Sequence, residues 1–177
     1  MGWKNVNAVI PDRLLLGNLS AARSTRTLGE NRITHIISVC NDAIPAESPA
    51  SGISHYRIPV EDRDYDDLLI WLPTACQFID NALRSGGVVL VHCGQGLSRS
   101  ATVVAAYLMW SRRISATQAL EETRRGEARD QIWPNPGFQE QLVLFELCQY
   151  APSRSNGIYS SWRTKLDRRL RAAGLPH

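Results

Sequence analysis

No apolar stretch in these 177 residues is long enough to cross a bilayer. The longest nearly uncharged run, Ala101 to Trp110, falls well short of the roughly 18 to 20 residues that a span requires. The N-terminal Met1-Gly2-Trp3-Lys4-Asn5 lacks the apolar segment of a secretory signal, so nothing directs the chain to an oxidising compartment, and cytosol or nucleus is the expected address. Cysteine is scarce. The four present, Cys40, Cys76, Cys93 and Cys148, show neither C-x-x-C nor the Cys/His spacing of a zinc site, which argues for free thiols and against a structural metal. Internal repeats and low-complexity tracts are also missing, setting aside solenoids and disordered scaffolds. A basic surface is missing from most of the chain. The formal net charge is +3, but from Ala151 onward six cations (Arg154, Arg163, Lys165, Arg168, Arg169, Arg171) face one anion, Asp167, a balance of +5, which leaves −2 for residues 1–150. That region carries no basic stripe of the kind that reads a phosphate backbone, and no nucleic-acid partner is expected.

What is present is an ordinary globular composition, 44% apolar and 21% charged, sufficient for a sizeable core in one domain with a short appendage. The break at Ala151-Pro152-Ser153 separates a main domain, residues 1–150, from a basic tail, residues 151–177. Apolar periodicity alternates between strand-like and helix-like segments, which predicts an α/β fold with a central, mostly parallel, twisted sheet flanked by helices. Strands are expected at Ala8–Ile10, Leu14–Leu16, His35–Cys40, His55–Val60 and Val88–His92. The third and fifth should be central, because short uninterrupted apolar runs fill a sheet covered on both faces. Helices are expected over Pro73–Ser85, stopped by Gly86-Gly87; over Ser98–Ser111, buried on most sides; from the Ser115/Gln118 capping pair to Gly126; and from Asn135-Pro136 through Phe138, Leu142, Phe145 and Cys148. Cys76 and Cys148 fall on apolar helical stripes and read as inert core thiols. In the tail, Tyr159, Trp162, Leu166 and Leu170 share one helical stripe. This is either a terminal helix packed on the domain or a docking element for an acidic partner or membrane surface.

Between the last strand and the buried helix lies His92-Cys93-Gly94-Gln95-Gly96-Leu97-Ser98-Arg99-Ser100. A bare C-x5-R recurs by chance about once in 400 positions; His92, Gly96 and Ser100, in a strand–loop–helix context, make the coincidence far rarer. A loop entering a helix N-terminus aims successive N–H groups at one point, where the helix dipole adds positive charge, so it cradles a dianion. Gly94 and Gly96 let backbone approach the ligand, and Arg99 closes the loop with a planar fork that fits two phosphate oxygens. The phosphate-binding set is therefore Gly94, Gln95, Gly96, Leu97, Ser98 and Arg99. The same field favours a thiolate on Cys93, and a thiolate at the base of a phosphate cradle implies attack on phosphorus. Such a reaction needs an acid for the leaving oxygen, and Arg57 to Asp67 is rich in carboxylates, among which spacing makes no choice.

This loop resembles the signature of the cysteine-dependent protein tyrosine phosphatase superfamily, and its Ser98-Arg99-Ser100 ending is similar to the dual-specificity branch, in its small atypical form. Leu15-Leu16-Gly17-Asn18, Ile33-Thr34-His35-Ile36-Ile37, Ile58-Pro59-Val60-Glu61-Asp62, Gly86-Gly87 and Asn135-Pro136-Gly137-Phe138-Gln139-Glu140-Gln141-Leu142 resemble that family in the same order, over Val6 to Tyr150. The resemblance implies a protein tyrosine phosphatase-like fold with no metal or cofactor, and removal of phosphate from phosphotyrosine and phosphoserine/threonine in proteins. It implies Asp62, 31 positions before Cys93, as general acid and then base. Ser100 would stabilise the departing thiolate, His92 would orient the cysteine from behind, and Asn135 would brace the loop. It also marks Cys40 as the possible partner in a reversible disulfide with Cys93. Gln95 departs from the family pattern, where a small alanine is common. Phosphoinositides, phosphoglucans, RNA 5′-triphosphates and phosphoprotein trapping are the competing uses of the same cradle. Polyanions usually call for extra cations that Gly94, Gln95, Leu97 and Ser98 do not supply, leaving Arg63, Arg129 or the tail to provide them.

Overall fold

Alternation decides the two sides of the sheet. In β2 (Leu14–Gly17), β3 (His35–Ser38) and β5 (Val89–His92), Leu14, Leu16, Ile37, Val89 and Val91 point into the larger apolar cluster, while Leu15, Ile36 and Leu90 point into a smaller one on the opposite face. Successive side chains of a strand face opposite ways, so a run with no polar member must be covered on both sides. The computed structural model describes residues 5–125 and 131–177. Its five strands, completed by β1 (Val6–Ile10) and β4 (Ser54–Arg57), lie in the order β1-β2-β5-β3-β4. β1 is antiparallel to β2 and the remaining pairs are parallel. The chain is thus α/β with a central, mostly parallel sheet, and β5 and β3 occupy the interior positions that their apolar runs predict.

Two expected strands are shorter than the sequence suggests. β3 stops at Ser38 and β4 at Arg57, although single bonds from Val39 N–H to His92 O (2.8 Å) and Ile58 N–H to Ser38 O (2.8 Å) extend the ladder by one step. Pro59 has no N–H to continue it. Cys40 therefore lies beyond the strand, not at its end.

The larger apolar cluster sits beneath α3 (Leu72–Arg84), α4 (Arg99–Arg112), α5 (Ala116–Thr123) and α6 (Pro136–Leu147). α4 is buried continuously from Ser100 to Met109, as its lack of a polar stripe predicts. The Ser115/Gln118 capping box forms and opens α5, which ends at Thr123; the stop expected at Gly126 lies outside the described residues. The smaller cluster is covered by two short helices that apolar periodicity does not announce, α1 (Leu19–Arg23) and α2 (Thr25–Glu30). Local capping starts both: Asn18 accepts from Ala21 N–H, and Ser24 accepts from Thr27 N–H.

The tail forms α7 (Gly157–Ala172), and its stripe of Tyr159, Trp162, Leu166 and Leu170 is buried in the main cluster. Arg154, Lys165, Arg168, Arg169 and Arg171 remain outside and exposed. The apolar stripe of α7 is thus already occupied by its own domain, and its cationic side faces outward. No helix among the described residues is long and apolar enough to cross a membrane.

Candidate active site

β5 delivers Cys93 to the middle of the sheet's C-terminal edge, and α4 begins six residues later with Arg99. In an open parallel sheet this edge is where ligands collect. The loop is tied down through outward-facing carbonyls: Gly94 O accepts from Leu19 N–H at 3.0 Å, and Leu97 O accepts from Trp133 N–H at 2.9 Å. Gly96 sits at φ 77°, a left-handed conformation that glycine adopts without strain. Ser98 is buried; its hydroxyl accepts from Asn135 N–H at 3.1 Å and its carbonyl from Thr102 Oγ1 at 2.8 Å. Gln95 points to solvent, so its size does not disturb the packing of the loop.

Cys93 is 2% exposed, and its sulfur receives Gly96 N–H at 3.2 Å, with Ser100 Oγ also at 3.2 Å. Two donors and the N-terminal end of α4 thus converge on the one atom that would carry negative charge. Arg99 lies across the mouth. Its Nη1 donates to Val60 O at 3.1 Å and is 3.9 Å from Glu61 Oε2, and its Nη2 would stand 3.1 Å from a Cβ placed on Gly94. Its Nε is buried without a partner. A buried guanidinium donor left without a partner at the end of this loop fits a phosphoryl oxygen.

Asp62 is exposed at the rim, and its Oδ1 accepts from Asn135 Nδ2 at 3.0 Å. The surrounding segment is fixed from below by α6. A Cβ on Gly137 would fall 1.8 Å from Asp64 O, so only glycine permits that approach. Gln141, fully buried, accepts from Leu68 and Leu69 N–H (2.9 and 2.8 Å) and donates to Asp66 O (2.8 Å). Asp66 itself accepts from Glu61 N–H at 2.8 Å and Arg63 Nε at 2.7 Å. Arg63 is therefore committed to Asp66 and not to the cradle, and Arg129 lies outside the described residues.

Behind Cys93, His92 is fully buried. Its Nε2 is 2.6 Å from Ser38 Oγ, which is 2.7 Å from His55 Nε2. Burial pushes the His92 imidazole down to about 4, so it is neutral near physiological pH. Ser38, His55 and Gln141 escape a reading of the sequence because their partners are remote along the chain. Cys40, fully buried, lies two residues past Ser38, which pairs in register with His92; burial pushes its thiol upward. All four cysteines are free thiols. Among the described residues, no group of His, Cys, Asp and Glu has the arrangement of a metal site.

The comparisons with known proteins agree with this geometry. Residues 14–148 match the family described as dual specificity phosphatase, catalytic domain. The chain is similar to dual specificity protein phosphatase 1B of Arabidopsis thaliana, 39% identical over 138 residues that cover 77% of this chain and 80% of that one. Two further curated relatives are longer, and the chain spans 33% and 61% of them. Among solved structures it is similar to human DUSP28, with a TM-score of 0.75 and 34% identity over 85% of this chain and 98% of that one. It is also similar to PTPMT1 in complex with PI(5)P, with a TM-score of 0.69 and 25% identity over 84% of this chain and 100% of that one.

Proposed function

The chain belongs to the dual specificity phosphatase family, and from that premise we propose that it hydrolyses phosphotyrosine and phosphoserine or phosphothreonine in proteins through a cysteinyl-phosphate intermediate. The observation that carries this reading is a buried Cys93 sulfur with the Gly96 N–H and the Ser100 hydroxyl both at 3.2 Å, in a loop closed by Arg99, whose Nε is buried without a partner.

In the first step the Cys93 thiolate attacks phosphorus while the bond to the leaving oxygen breaks, and Asp62 gives that oxygen its proton. Arg99 and the loop amides hold the equatorial oxygens as their charge redistributes. In the second step water attacks phosphorus, Asp62 takes its proton, and the sulfur leaves as thiolate with the Ser100 hydroxyl donating to it. The steps return the enzyme to its starting protonation. Requiring a thiolate together with a protonated carboxyl gives a bell-shaped pH profile on the acid side of neutrality.

A non-protein substrate is the second reading, favoured by the likeness to PTPMT1 bound to PI(5)P. Against it stands the commitment of Arg63 to Asp66 at 2.7 Å, which withdraws the cation next to Asp62 in the chain. The deciding experiment measures phosphate release from a phosphotyrosine/phosphothreonine peptide, a phosphoinositide and a 5′-triphosphorylated RNA. Peptide turnover that vanishes in Cys93→Ser and falls steeply in Asp62→Asn supports the proposal. Turnover confined to the lipid or RNA overturns the substrate class, and tight phosphopeptide binding without turnover overturns the enzyme. Cys40 is proposed as the thiol that condenses with a peroxide-generated sulfenic acid on Cys93, releasing water. A peptide map of peroxide-treated protein showing over-oxidised Cys93 and no Cys40–Cys93 crosslink would reject that role.

A further inference from the structure

The hydrogen-bonded chain behind the nucleophile has only one self-consistent arrangement of protons. It runs from Cys93 O to His92 Nδ1 (3.4 Å, a long bond), from His92 Nε2 to Ser38 Oγ (2.6 Å), and from Ser38 Oγ to His55 Nε2 (2.7 Å). A carbonyl oxygen only accepts, so the His92 proton sits on Nδ1. The ring is fully buried and neutral, which leaves Nε2 bare and obliges the Ser38 hydroxyl to donate to it. Ser38 has one proton, so its oxygen accepts from His55, whose proton must therefore sit on Nε2. Reversing any member places two protons, or two lone pairs, against each other in the interior and leaves buried polar groups unsatisfied.

We propose that Ser38 and His55 are positioning residues that lock His92 in its Nδ1–H form and so polarise the peptide bond that follows Cys93. All dipoles of the chain point the same way, with donor ends directed at Cys93 O. Hydrogen bonds aligned head to tail strengthen one another. A carbonyl drawn on from behind makes the N–H across its own peptide bond, that of Gly94, a more positive donor. Gly94 follows Cys93 directly in the loop whose Gly96 N–H reaches the sulfur at 3.2 Å, so the added positive charge lies next to the residue that gathers negative charge. The remote end of the chain is near the surface. His55 is partly exposed on the edge strand β4, with Glu47 Oε1 4.0 Å from its Nδ1 and Arg57 on the same strand bound to Glu47. Asp42, after β3, adds a negative charge that favours a charged His92, while His55 and Arg57 oppose it. Protonation of His55 at Nδ1 leaves its Nε2–H in place and preserves the direction of the chain.

The inference rests on the proposed role of Cys93 as nucleophile, so its first readouts are independent of turnover. Cys93 alkylation by iodoacetamide is followed against pH, and the His92 tautomer is read from its ring nitrogen shifts by NMR, in wild type, Ser38→Ala, His55→Leu and His55→Gln. Ser38→Ala is expected to slow alkylation at pH 6 by about three- to tenfold and to converge with wild type at high pH, where the thiolate forms regardless. The His92 signals should lose their pure Nδ1–H pattern. His55→Leu should act in the same direction with a smaller effect, and His55→Gln, whose amide N–H also donates to Ser38, should recover most of it. Alkylation slowed equally at every pH, or an unchanged His92 tautomer in Ser38→Ala, overturns the proposal and leaves Ser38 as packing. If the alkylation shift and tautomer change occur in a protein that hydrolyses no phosphopeptide, the chain stands and the proposed substrate class falls.

Discussion

Asn135 holds Asp62 through a 3.0 Å bond from its side-chain nitrogen, while its side-chain oxygen caps α6 at Phe138 N–H (2.9 Å) and its backbone N–H reaches Ser98. One residue thus ties the rim carboxylate, the phosphate loop and a helix start together. The capping role was legible from Asn135-Pro136. The bond to Asp62 was not, because it joins positions 73 residues apart.

Replacing Asn135 with Ser keeps a capping oxygen and removes the amide donor, separating the two roles. Stability should fall by less than about 1 kcal/mol. Turnover of a tyrosyl phosphate, whose leaving oxygen needs the acid, should fall about tenfold, while an activated aryl phosphate that leaves without help should change less than about twofold. Equal losses on both substrates would mean that Asn135 does not position Asp62.

His92 should make the fold sensitive to acid. Its imidazole takes a proton near pH 4 in the folded chain, against 6.5 when free. Between those values the unfolded chain binds more protons, so stability falls as pH falls from about 6.5 toward 4, by about 3 kcal/mol over the whole window. Chemical denaturation at pH 7, 5.5 and 4.5 should show a steeper loss for wild type than for His92→Gln. Parallel losses would assign the acid sensitivity to other groups.

What the sequence conveyed and what it withheld divide along physical lines. β5, the loop after it and α4 were legible because each rests on local composition: an uncharged apolar run, glycines, then a stretch with no polar stripe. α1 and α2 were not, since five or six residues are too few to display a helical period, and their existence depends on caps and on the groove above Leu15, Ile36 and Leu90. Gln141 was hidden on the stripe of Phe138, Leu142 and Phe145, because nothing nearby signals that Leu68 and Leu69 present N–H groups to it. Ser38 and His55 come within reach of His92 only once three parallel strands are in register.

α7 lies wholly beyond the matched family region, which ends at residue 148, yet it supports the segment that carries Asp62. Tyr159 OH donates to Asp67 at 2.5 Å, and Asp67 in turn accepts from Ile70 N–H at 3.1 Å. Tyr159→Phe should cost about 1–3 kcal/mol by leaving the half-buried Asp67 short of a donor, and Trp162→Ala about 3–5 kcal/mol. Charge reversal at exposed Arg168 and Arg169 should stay within about 0.5 kcal/mol. A stability loss confined to the arginine variants would contradict the packing seen here. A change of localisation confined to those variants would assign the outer face to an acidic partner.

Trp133 should bias the enzyme toward phosphotyrosine. It is 56% exposed, although large aromatics are usually covered, and its backbone is bound to Leu97 of the phosphate loop. In the extended segment before α6, Ile132 and Pro134 are buried, so Trp133 shares the opposite face with Asn135, which reaches Asp62. The Arg124 guanidinium, 3.7 Å from the centroid of the indole and bound to Ile132 O, holds the ring in place. A phosphotyrosine side chain extends further from the cradle than a phosphothreonine and is the one expected to reach an aromatic ring flanking the loop. Aromatic contacts add about 0.5–1.5 kcal/mol, or roughly two- to tenfold in rate. Trp133→Ala should therefore lower kcat/KM for a phosphotyrosine peptide by that factor, with less than about a twofold change for its phosphothreonine counterpart, and Trp133→Phe should fall between. If both peptides lose equally, the indole serves the loop and not the choice of substrate.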